Sequence, residues 1–280
     1  MSLLKAPLRL WHLASLDAPT VAVVWGGAFA WTARIRLMAW PLTLLGLVVW
    51  AVYIGDRLLD ARAGKRSSSE HELRERHFFH WRHRRVLAPL AVAAGVAAAA
   101  IVRGRVPAIA LPQDSVVALA TLAYFSGVHG RLKLPGAVGR LAKVVGSREC
   151  LVGTLFAAGC VLPAWSVDPV GFPLRLLVMP AVYFSALAWL NVRAITCWES
   201  EKRPGRMAWL LAGVGMVLAA GLMAVQPRGA ALVAAGAVSA LLIGWLDRKR
   251  TLRESALDPV TLRAAVDLVL LAPLLLVVVW

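Results

Sequence analysis

Nine apolar stretches, each 16 to 23 residues long, recur along the chain over 18–33, 37–57, 86–102, 106–128, 147–165, 173–195, 207–225, 229–246 and 262–280. About 20 apolar residues is the length an α-helix needs to cross the hydrocarbon of a bilayer. Only a helix or a closed barrel satisfies its own backbone there. The pattern predicts an all-α, polytopic membrane protein with nine transmembrane helices, organised as a single domain over 1–280. Composition agrees, with 60% hydrophobic residues and a mean hydropathy of +0.70, well above a globular domain. Twelve tryptophans suit aromatic belts at the two interfaces. The third and eighth stretches are rich in Ala, Gly and Val, as close helix packing in lipid requires.

A net charge of +16 invites a nucleic-acid reading. In a membrane chain, basic loops lying over anionic lipid account for it better, so membrane lipid is the expected partner and nucleic acid is not. With the N-terminus placed in the cytoplasm, 25 of the 31 Lys and Arg residues fall on the cytoplasmic side. They lie in the N-terminal segment and in 57–85, 131–148, 193–206 and 248–263. The positive-inside rule then sets the N-terminus inside and, after nine crossings, the C-terminus on the opposite side. A bacterial inner membrane is the expected location. No small-residue cleavage site follows the first apolar stretch, which is expected to be a retained span. Cys150, Cys160 and Cys197 show no metal or redox spacing and read as reduced packing residues.

Acidic residues do not set topology, yet 13 of 15 fall on the same side as the cations. In YIGDRLLD, Asp56 and Asp60 stand at i and i+4, one turn apart on one helix face, with Tyr53 just before them. Two readings fit: the carboxylates share a hard divalent cation such as Mg²⁺, or they pair with Arg57, Arg62 or a neighbouring helix. The sixth stretch ends similarly in LNVRAITCWESEKRPG, where Asn191, Glu199 and Glu201 offer oxygen donors before Pro204 and Gly205 stop the helix. Ahead of the fifth stretch, Lys143 and Arg148 either snorkel to the interface or meet phosphate oxygens. Acidic clusters facing basic residues beside a greasy cavity describe a site for a lipid diphosphate.

These features together resemble the UbiA superfamily of intramembrane prenyltransferases, and the resemblance covers nearly the whole chain. Asp56 and Asp60 fall on the last two aspartates of the family's NDxxDxxxD motif, while Val52 and Tyr53 replace its Asn and leading Asp. Asn191, Glu199 and Glu201 lie in the region of the second acidic motif. Lys143 stands where the family has a basic residue before a helix-five glycine, here Gly153. LDAPTVAVVW (16–25) is similar to the family's first helix with its proline. The resemblance implies nine helices around a central cavity and Mg²⁺-dependent transfer of a prenyl group from an isoprenoid diphosphate to an aromatic or lipid acceptor. In that scheme Asp56, Asp60, Glu199 and Glu201 hold the metal and carry catalysis, while Lys143, Arg148 and Asn191 bind the diphosphate. The alternative is a catalytically altered or inactive relative with a lipid-binding or assembly role.

A transporter lacks the expected pair of broken half-helices. The longer pattern of CDP-alcohol phosphatidyltransferases does not continue after Asp60. His77, His80 and His83 recur every third residue in 70–85, which reads as a basic amphipathic helix on anionic lipid rather than a zinc site. Asp267, inside the ninth stretch, is expected to pair with Arg263 one turn away.

Overall fold

The computed structural model describes residues 5–66, 75–129, 148–200, 206–252 and 259–279. Every regular element among them is helical: α1 (Lys5–Leu13), α2 (Asp17–Thr32), α3 (Ala39–Arg66), α4 (Glu75–Arg82), α5 (Arg84–Arg105), α6 (Leu111–His129), α7 (Arg148–Val167), α8 (Leu174–Glu199), α9 (Met207–Leu222), α10 (Pro227–Leu252), α11 (Pro259–Val269) and a closing 3₁₀ segment (Ala272–Val279). Each of the nine apolar stretches has become helix. Five helices are long and apolar enough to cross a membrane, and a sixth qualifies if α1 and α2, bent by 86°, count as one broken span. Residues 207–222 form a shorter apolar helix. The last stretch changes from α to 3₁₀ geometry around Ala272-Pro273, where proline removes a backbone donor.

Around an apolar core the helices also leave many large apolar side chains facing outward. Val92 and Val96 on α5, Val116 and Leu119 on α6, and Leu210 and Val217 on α9 are all exposed. A belt of that kind suits hydrocarbon and makes the chain compatible with an integral membrane protein. In lipid, tails are as apolar as leucine, so helices associate through close van der Waals packing rather than hydrophobic exclusion. The centre of the bundle shows this. Trp25 of α2 stacks on Phe184 of α8 with centroids 3.8 Å apart, and Phe29 and Phe156 close around the pair. The Trp25 indole N–H donates to the Leu270 carbonyl at 2.9 Å, tying the start of the chain to its end.

Small residues set the closest crossings. A Cβ on Gly153 of α7 would lie 2.8 Å from the Ser185 carbonyl oxygen of α8, so the two backbones touch there. Beside this crossing, Thr154 and Ser185 exchange a hydroxyl hydrogen bond of 3.1 Å. On the other side of α8, Gly215 of α9 leaves room for the Tyr183 ring, whose hydroxyl donates to the Leu211 carbonyl at 3.0 Å.

Helix ends sort into two sets, and pairings across the bundle reveal which belong together. At one end Arg228, opening α10, donates to the Trp31 carbonyl that closes α2, and Ser166 of α7 bonds Asp114 of α6. At the other end the start of α2, the end of α3, the start of α7, the ends of α8 and α10 and the start of α11 converge. The acidic residues concentrate there.

Replacing Gly153 with Ala forces α7 and α8 apart and is expected to cost about 1–3 kcal/mol, seen as a lowered thermal midpoint of the purified protein. Gly159→Ala, with open space around its Cβ on the same helix, is expected to leave the midpoint unchanged or raise it, since alanine is the better helix former.

Candidate functional site

At the acid-rich end, five elements deliver polar side chains into one buried cluster. α1 ends in His12, the chain turns through Ser15, and α2 opens with Asp17. The turn places Ser15 at a φ of 56°, a left-handed conformation rare for a residue with a Cβ, so its surroundings must hold it. They do so at three points. His80 of α4 bonds the Ser15 hydroxyl at 3.1 Å, the Trp50 indole donates to the Ala14 carbonyl at 3.1 Å, and Arg57 reaches the His12 carbonyl at 3.4 Å. His80 is fully buried and serves as a pin between α4 and the α1–α2 turn. Helix α4 packs on α3 beside this turn, while Phe78 and Arg82 of the same helix are exposed.

His12 and Asp17 are each only 2% exposed, and Nδ1 of His12 lies 2.6 Å from Asp17 Oδ2 and 3.7 Å from Asp267 Oδ2. Arg57 of α3, 5% exposed, stands 3.6 Å from the same Asp17 oxygen. From α8, Asn191 donates through Nδ2 to Asp267 Oδ1 at 2.9 Å. Asp267 therefore faces His12 and Asn191 rather than Arg263. Arg263 instead reaches across to bond Glu199 at the end of α8. The expected one-turn pair within α11 is replaced by a bridge between α11 and α8.

Asn191 and Asp267 border a small cavity of about 40 Å³, completed by Tyr53 and by apolar groups including Val21, Phe156 and Leu270. That volume admits ordered water at a site with polar partners. Electrostatically, Tyr53 lies within range of Asp17, Asp267, Arg57 and Asp56. Tyr53, where the resemblance places the motif's leading aspartate, borders the cavity with a phenol.

Three of the acidic residues singled out in the sequence lie on helices that carry this cluster, α3 and α8. Asp56 and Asp60 are half-buried on α3. Glu199 is half-buried at the end of α8, held by Arg263, and Asn191 lies within the cluster itself. Helix α8 ends at Glu199, before Pro204, with the Ser200 hydroxyl turned back onto the Thr196 carbonyl at 3.0 Å. Glu201 and Lys143 lie outside the described residues, as does the side chain of Arg148. Among the described residues, the group of three acidic or imidazole side chains close enough to share one ion is His12, Asp17 and Asp267. Two further polar bonds brace the same end: Trp198 donates to Asp247 at 2.8 Å, and Arg193 meets Glu149 at 3.5 Å.

His12, Asp17 and Arg57 were not singled out as site residues by sequence reasoning. Their signal is present only as polar residues at the edges of apolar stretches, in LWHLASLDAP and YIGDR. No protein-family model matches the chain, and comparison with curated proteins and with solved structures finds no match.

Arg57→Met leaves Asp17 and Asp267 buried with the guanidinium gone. Breaking a buried ion pair in this way costs about 3–5 kcal/mol, so the variant is expected to unfold at markedly lower temperature or denaturant. Arg62→Met, on an exposed position of the same helix, is expected to change stability by less than about 0.5 kcal/mol.

Proposed function

We propose that the chain is a UbiA-like intramembrane prenyltransferase, with nine spans and the acid-rich end facing the cytoplasm of a bacterial inner membrane. Its reaction moves a prenyl group from an isoprenoid diphosphate to a hydrophobic acceptor, aromatic or lipid. The observation that carries this reading is that one cavity is lined by Tyr53 of α3 and Asn191 of α8, the two helices that bear Asp56 and Asp60 and, at its end, Glu199.

The donor set suits Mg²⁺, which takes hard oxygen ligands and tolerates one or two carboxylates plus substrate phosphate. Asp56, Asp60, Glu199 and Glu201 would hold it, and when bound it would draw charge from the leaving diphosphate. Glu199 would share its carboxylate with Arg263 in doing so. Lys143, Arg148 and Asn191 would bind the diphosphate oxygens. Tyr53 and Asn191 give the cavity a polar edge, and Val21, Phe156 and Leu270 give it apolar walls that would shield an allylic carbon gaining cationic character once the water-sized cavity widens around the substrate.

The internal pairing of Arg57 with Asp17 and of Glu199 with Arg263 favours a second reading. In it, the chain keeps the fold with altered or lost catalysis and serves in lipid binding or assembly.

Purified protein in detergent or nanodiscs, given labelled geranyl, farnesyl and longer diphosphates with Mg²⁺, is expected to release diphosphate. Asp56→Ala with Asp60→Ala is expected to lower the rate by at least about a hundredfold, the scale of one removed transition-state contact. A wild-type rate equal to that of the double variant contradicts catalysis and supports the second reading.

A further inference from the structure

With His12 neutral, as a metal ligand must be, the cluster sets the two carboxylates of Asp17 and Asp267 against one permanent cation, Arg57, at the junction of α1, α2, α3 and α11. Uncompensated charge in a low-dielectric interior is costly, so such a site attracts a further cation. The donor atoms already converge. His12 Nδ1, Asp17 and Asp267 offer ligand atoms all within 4.8 Å of one another. The His12 side chain is buried, with Nδ1 against the Asp17 and Asp267 carboxylates and Nε2 without a hydrogen-bond partner. Asn191, 7% exposed, holds Asp267 through Nδ2 while its Oδ1 has no hydrogen-bond partner and borders the same cavity as Asp267.

We propose that His12, Asp17 and Asp267 form a binding site for a divalent first-row transition-metal ion, with Asn191 Oδ1 as a fourth donor. Imidazole nitrogen beside carboxylate and amide oxygen suits Mn²⁺ or Zn²⁺, whereas Mg²⁺ and Ca²⁺ select oxygen alone. Metal–ligand bonds of about 2.0–2.2 Å place neighbouring ligand atoms roughly 3.4 Å apart. The His12–Asp267 distance of 3.7 Å meets this already, and the 2.6 Å His12–Asp17 contact opens by less than about 1 Å. Arg57 then lies outside the ligands, fixing the Asp17 carboxylate as outer-shell partners do. The ion joins α1 and α2 to α11, residues 12 and 17 to residue 267. It shares no ligand with the Mg²⁺ site of the preceding section and stands or falls without it.

Full-length protein stripped with chelator and titrated with Mn²⁺ alone is expected to take up one ion per chain. Pulsed electron paramagnetic resonance is expected to show coupling to one imidazole nitrogen. His12→Gln and Asp267→Asn are expected to weaken Mn²⁺ binding at least about tenfold and, for His12→Gln, to remove the nitrogen coupling. Asp56→Asn with Asp60→Asn is expected to leave both signals intact, even if diphosphate release is lost. Three results overturn the proposal: no ion retained by wild type, binding unchanged in His12→Gln, or binding lost only in the Asp56/Asp60 variant. Should the cluster variants fail to fold, wild type still decides, since bound Mn²⁺ without nitrogen coupling also overturns it.

Discussion

A charge taken out of water between helices must find its complement there, and this requirement organises one whole end of the molecule. Asp17, Asp267, Arg57 and His12 come from four helices and meet within a few ångströms. None is stable in that place without the others, because an unpaired buried ion costs several kcal/mol. The same logic extends outward. Glu199 answers Arg263, Asp247 accepts from Trp198, and Glu149 meets Arg193. The first two bonds link α8 with α11 and with α10, and the third joins the consecutive α7 and α8, so compensation of charge also fixes which helix ends lie together.

Packing supplies the rest. Apolar surface faces outward, where in a bilayer it gains nothing from meeting other apolar surface. Close backbone contact at Gly153 and the stacked rings of Trp25 and Phe184 therefore hold the middle of the bundle. The indole bond from Trp25 to Leu270 and the cluster at His12 and Asp267 both tie the beginning of the chain to its end. The cavity beside Asn191 and Asp267 lies between these two ties, so any ligand that enters meets groups held from both sides.

The helices were legible in the sequence because hydropathy is a local property, although α3 runs on to Arg66 past its expected end at 57 and α6 starts at Leu111 rather than 106. Span number was less legible. Length and composition alone qualify five helices, or six with the bent pair, because α2 and α9 have only 16 residues each and the last stretch breaks near Pro273. The face shared by Asp56 and Asp60 follows from helical period. The partners of Asp267 do not. Arg263 stands one turn away in sequence, but its side chain serves Glu199, and the groups that meet Asp267 come from residues 12 and 191. Periodicity reports neighbours along one helix and is silent on contacts between helices. His12 and Asp17 gave only a faint signal, two polar residues flanking a short turn before an apolar run, whose meaning depends on where α11 packs.

The account rests on that meeting of chain ends, and a double-mutant cycle reads it directly. His12→Ala, Asp267→Asn and the pair together are compared in reversible unfolding of the purified protein. Contact between residues 12 and 267, which lie 255 positions apart, predicts a coupling energy of about 1–3 kcal/mol. Effects that add to within about 0.5 kcal/mol would contradict it, since that is the behaviour of residues that do not touch.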